Sequence, residues 1–158
     1  MSIANELAAF FRRDLTRLAQ ELRAFPDDDL LWKKPPGVTN SAGNLALHLE
    51  GNLREYIGRQ LGGVPYQRQR DQEFLQAGLG LRDLAERMDS LATMIPDIVS
   101  GLGSAELDHA YPENVMGMPL STRQFLLQVL SHFNYHLGQI DYLRRVLTNG
   151  AAVQLTGL

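Results

Sequence analysis

At 158 residues, 44% hydrophobic and 21% charged, the chain has the composition of a soluble globular protein long enough for one domain with a sizeable core. A net charge of -3 and the lack of any dense basic run argue against nucleic-acid binding through the phosphate backbone. No cysteine is present, which excludes disulfides, thiolate metal ligands and a cysteine nucleophile, and fits a cytoplasmic protein.

Residues 3–25 place Ile3, Leu7, Phe10, Phe11, Leu18, Leu22 and Phe25 at intervals of three and four, the mark of one amphipathic helical face. Glu6, Arg12, Arg13 and Asp14 interrupt the same stretch at helical intervals, so it has no signal-peptide h-region, and no apolar run approaches the ~18 residues that span a bilayer. Pro26 ends the first helix. PDDDLLW allows one further turn, and KKPPGVTNSAG reads as a loop.

A second helix is expected over Ser41–Leu61, with Thr39, Asn40 or Ser41 as N-cap and Gly62, Gly63 and Pro65 as stop. Residues 62–80 are too many for a tight antiparallel turn and predict a crossover, with a short helix at DQEFLQA. A third helix spans roughly 81–101 on a wide stripe that includes Leu84, Met88, Leu91, Ile95 and Leu102, and Pro96 is expected to kink it. In YPENVMGMPLS, two short apolar arms around Asn114 and Gly117 suggest a small hairpin. Ser121 with Gln124 has the capping-box pattern and opens a fourth helix, which runs through Phe125, Val129, Phe133, Ile140, Leu143 and Leu147 to Gly150. Four long helices without a sheet predict an all-α antiparallel four-helix bundle, a single domain over residues 1–158.

The last helix contains LSHFNYHLGQIDYLRR. Residues four apart on a helix differ by only about 40° in direction, so His132 and His136 point the same way, along the stripe of Val129, Ile140 and Leu143. Such a pair is either structural or able to hold one divalent metal ion, which also takes at least one more protein ligand. His48, on the face of Leu45 and Asn52, is the better third ligand, because facing bundle helices can hold a shared ion rigidly; His109 lies in a loop. Asn44 reads as a cap, Asn52 as either a group that orients a metal-bound water or substrate or a solvent residue, and Gln139 as one that reaches the cavity or bonds to a neighbouring helix. Asp14 sits on an apolar face, either to orient a ligand histidine or to form a rim salt bridge with an arginine. Trp32 and Tyr135 read as packing residues, and Arg144 and Arg145 as complements to the helix dipole.

HFNYHLGQIDYLRR resembles the C-terminal signature of the DinB-like superfamily, and NLALHLEGNLREYIG resembles the second helix of that family. The resemblance covers nearly the whole chain. It implies a four-helix bundle with a long crossover after helix two and, commonly, a homodimer, to which the wide apolar face of helix three could contribute. It also implies a divalent metal held by His48, His132 and His136. Characterised members include transferases and isomerases that use bacillithiol, mycothiol or glutathione. The expected function is therefore a metal-dependent thiol S-transferase acting on small electrophiles, with zinc or nickel as the ion. The alternatives are a metal-dependent hydrolase and a non-catalytic metal-binding or interaction protein on the same scaffold.

Overall fold

The computed structural model describes residues 2–115 and 117–154. In chain order the helices are α1 (Ile3–Arg23), α2 (Asp28–Trp32), α3 (Ala42–Leu53), α4 (Arg70–Leu75), α5 (Leu81–Ser100), α6 (Ser104–Asp108) and α7 (Thr122–Thr148). A π-helical segment, Arg54–Arg59, continues α3. Among the described residues there is no strand, and none of the helices is long and apolar enough to cross a membrane.

Local chemistry sets the ends. Ser41 and Asn44 cap α3 reciprocally, and Ser121 and Gln124 do the same for α7, so orphan amides of the first turns are satisfied. The expected stop at Gly150 falls one residue earlier, because Asn149 takes the left-handed conformation at φ 51° that closes a helix. The second helix was expected to be regular to Leu61; instead it widens after Leu53, with Gly62 N–H donating to the Ile57 carbonyl at 3.0 Å, five residues back. α5 continues through the buried Pro96.

Side-chain pairs give the direction of each helix. Arg12 meets Asp97 and Arg23 meets Asp89, so α1 and α5 are antiparallel. Asp14 meets Asn134 and Glu21 meets Arg144, so α1 and α7 are parallel. His48 meets His132 and Tyr56 meets Phe125, so α3 and α7 are antiparallel. It follows that α3 and α5 run parallel, and the chain must travel back along the bundle between them. The crossover over residues 62–80 is that return path. α1 packs on α5 and α7, and α3 packs on both as well, which closes the four-helix bundle.

The core joins Leu7, Phe11, Leu15, Leu18 and Leu22 of α1 to Leu84, Met88, Leu91, Ile95 and Val99 of α5, none more than 2% exposed. The apolar stripe of α5, expected to help make a dimer contact, is thus used within the bundle. The exposed large apolar side chains include Leu127, Tyr135, Tyr142 and Val146 on α7, together with Leu75 on α4 and Ile3 and Phe10 on α1.

Two further expectations change. The hairpin reduces to one antiparallel bridge between Ala110 and Ser121, flanked by Tyr111 N–H to the Leu120 carbonyl at 2.9 Å; Met116, in the same segment, lies outside the described residues. Arg144 does not serve the helix dipole from the surface. It is 3% exposed and donates from Nε to Glu21 Oε2 at 2.5 Å and from Nη2 to the Ala151 carbonyl at 3.0 Å. Arg145 remains outside, beside Asp141 and Tyr142.

Candidate metal centre

α3 and α7 bring His48, His132 and His136 together, with one ring nitrogen of each within 4.8 Å of the others. His132 Nε2 lies 3.4 Å from His48 Nε2 and 3.1 Å from His136 Nε2. His48 is 7% exposed, and the other two are half-buried. His109 is exposed at the end of α6 and takes no part.

Hydrogen bonds fix which nitrogen of two rings carries the proton. His48 Nδ1 is 2.9 Å from Glu73 Oε2, a carboxylate oxygen that can only accept. His136 Nδ1 is 2.7 Å from Gln139 Oε1, also an acceptor. Both Nδ1 atoms therefore donate, and both Nε2 lone pairs point into the shared space. Three Nε2 atoms facing one space form a donor set that fits a divalent metal ion. Without an ion, Asn52 Nδ2 donates to His48 Nε2 at 3.1 Å at the border of the same space, and a proton on His132 Nε2 can be shared with His136 Nε2.

Glu73 had not been anticipated. It comes from α4, in the crossover, and Arg68 donates to both of its oxygens at 2.7 and 2.8 Å. Burial opposes the charge on Glu73, but Arg68 and His48 together outweigh it and hold the carboxyl below its usual range. The approach depends on two neighbours in α3. Asn44, beyond its capping role, donates from Nδ2 to the carbonyls of Glu73 and Gln76 at 3.1 and 2.9 Å. Gly51 leaves the room: a Cβ there would lie 2.1 Å from Glu73 Oε1.

Asp14, the sequence candidate for orienting a histidine, does something else. It pairs with Arg13 and Arg17 and accepts from Asn134, but fully buried rather than at the rim, and the orienting role belongs to Glu73 and Gln139. Trp32 is a packing residue as expected, its Nε1 bonded to the Leu79 carbonyl at 2.9 Å. Tyr135 is not: it is 65% exposed, with its ring centroid 5.2 Å from that of His136.

Two cavities flank the triad. One, of about 620 Å³, touches His136 and is walled by Val38, Leu45, Tyr135, Gln139, Tyr142 and Leu143, among others. The other, of about 230 Å³, touches His48 and His132 and is walled by Asn52, Tyr56, Arg68, Arg70, Phe125 and Gln128, among others.

Burial, then the proximity of His136 and His48, lowers the His132 pKa to about 4; burial also lowers that of His136. An unfolded His132 takes up its proton near the ordinary value of about 6.5, while the folded one resists until about 4. Its contribution to stability is therefore present above about pH 6.5 and lost as the pH falls toward 4. Acidification of the metal-free protein from pH 7 to 4.5 is expected to lower the melting temperature, and His132→Gln to flatten that decline. An unchanged slope in the variant would remove His132 as its cause.

The family described as "Protein of unknown function (DUF1572)" matches residues 4–156. The chain belongs to this family. Its fold is that of solved DinB-like proteins. A DinB-like protein from Bacillus cereus matches over 92% of this chain and 90% of its own, at 17% identity and a TM-score of 0.67. A DinB-like protein from Bacillus subtilis matches over 95% of this chain and 96% of its own, at 18% identity and a TM-score of 0.65. These identities establish the shared DinB-like fold alone. No curated protein matches this DUF1572 chain.

Proposed function

We propose that the protein is a divalent-metal-dependent enzyme that transfers a low-molecular-weight thiol to a small electrophile. The observation that carries this reading is the convergence of three imidazoles, with two of the ring orientations fixed by Glu73 and Gln139, at the junction of two cavities. His48, His132 and His136 would hold the ion, and three protein ligands leave coordination sites for substrate, the arrangement of a catalytic rather than a structural centre. The ion would supply Lewis acidity, lowering the pKa of a bound thiol. With no cysteine in the chain, that thiol must come from a cosubstrate. Imidazole donors suit zinc and nickel.

The uncharged walls around Tyr135, Tyr142, Leu143 and Val38 suit the apolar body of an electrophile. Asn52 stands where it could orient a water, which favours metal-dependent hydrolysis as the second reading. Metal analysis of protein from metal-replete cells, followed by a screen of bacillithiol, mycothiol and glutathione against model electrophiles, tests the proposal. Turnover that needs both ion and thiol supports it. Metal without thiol-dependent turnover would leave the hydrolytic or non-catalytic readings, and failure to take up any metal would overturn the metal-centre reading.

A further inference from the structure

The two cavities beside the triad differ in charge. The larger has no ionisable side chain in its wall apart from His136 and the exposed phenols Tyr135 and Tyr142. The smaller is walled by two guanidiniums, Arg68 and Arg70, and by no carboxylate. Arg68 is already committed to Glu73 through two hydrogen bonds. Arg70 is not: among the described residues it pairs with no acid, and only the Phe74 ring, 5.5 Å from its guanidinium carbon, lies beneath it. Apart from Arg82, every other arginine of the chain has a carboxylate partner among the described residues. Arg70 is exposed and hydrated, but at the wall of a small cavity that also touches His48 and His132 its unpaired guanidinium can exchange that water for an anion, and its planar fork matches a carboxylate or a phosphate.

We infer that the Arg70 cavity is an anion subsite, which binds a carboxylate or phosphate on the same small molecule whose reacting group sits at the histidines. Its volume of about 230 Å³ limits the anionic arm to a short one. Arg68, neutralised by Glu73, shapes the wall, and Arg70 supplies the charge. The inference deepens the thiol-transfer reading and rests on it for which group reacts, but the anion contact can be measured separately.

The probes are 3-mercaptopropionate, 2-mercaptoethanol and 2-mercaptoethylamine, which differ in the charge they carry beside the thiol. Binding to the cobalt(II)-loaded protein is followed by the thiolate-to-cobalt absorption band. The anionic probe is expected to bind about 10-fold more tightly than the neutral one, the scale of a charge-assisted hydrogen bond at a partly solvated site, and the cationic probe more weakly than either. In Arg70→Gln the preference should collapse to within about twofold, with cobalt uptake unchanged, and Arg70→Lys should keep part of it. A preference that survives in Arg70→Gln would mean that the carboxylate contacts the ion and would overturn the assignment, as would no preference in the wild type. Competition by acetate and by inorganic phosphate distinguishes the two anion classes. If the protein takes up no cobalt, the metal-centre reading fails by itself, and the subsite is then judged on the apoprotein by ligand-observed NMR. There, propionate bound in the wild type and lost in Arg70→Gln supports the subsite, and propionate binding no better than propionamide overturns it.

Discussion

Alanine at His132 or His136 is expected to lower metal affinity by on the order of 100-fold, and alanine at His48 to do the same. Apparent zinc affinities of roughly 10–16 kcal/mol shared among four ligands imply about 3 kcal/mol for each. The three Nε2 atoms face one another across two helices, and among the described residues no other histidine or carboxylate joins the group. Helix content should be retained, because alanine is the best helix former. His109→Ala should bind metal like the wild type, since His109 is exposed and bonds only through its backbone, where its carbonyl accepts from Thr122 at 2.8 Å. Metal titration of the four single variants checks this. Full affinity in His48→Ala, or loss in His109→Ala, would disprove the ligand set.

The largest expected effect on stability is at Arg144. Arg144→Met removes the cation from a pair in which both side chains are under 5% exposed, and leaves Glu21 buried alone. Breaking such a pair costs about 3–5 kcal/mol. Burial already pushes the Glu21 carboxyl up more strongly than Arg144 draws it down, so the pair is held against a considerable desolvation cost. The double variant Glu21→Leu with Arg144→Met should therefore recover most of the loss, because neither partner is left charged. Urea denaturation of the two variants decides the matter. A loss under about 1 kcal/mol in the single variant would place the pair among solvent-screened ones.

What could be read in the sequence was whatever is local. The four apolar stripes repeat within each helix, so the bundle was visible before any contact was known. The His132–His136 pair was visible for the same reason, and His48 because it shares a face with Leu45 and Asn52. Glu73 was hidden because residues 62–80 have no periodicity, and its role exists only once the crossover folds back on α3. DQEFLQA had signalled a short helix there, but nothing in it indicated which face would meet a histidine. Asp14 showed itself as a misplaced acid, yet its partners Arg17 and Asn134 depend on the side-chain geometry of α1 and on its packing against α7. Arg144 left a signal that was missed: it follows Ile140 by four and precedes Leu147 by three, on the inward stripe. The widening of α3 after Leu53 has no sequence signature of this kind.

The docking of α4 on α3 through Asn44, Gly51 and Glu73 couples events that involve different atoms. α4 supplies no ligand nitrogen, yet Glu73 sets the tautomer that a metal ion needs at His48. Whatever frees α4 would also weaken the hold on an ion at the three histidines, and by reciprocity a bound ion would hold α4 in place with an equal free energy. With an ion at the three histidines, the crossover would report on its occupancy. Backbone amides over residues 70–76 should exchange with solvent more slowly when metal is added, although none of these residues would touch it. The same slowing should be lost in Gly51→Ala, where a methyl group would occupy the place of the Glu73 carboxylate.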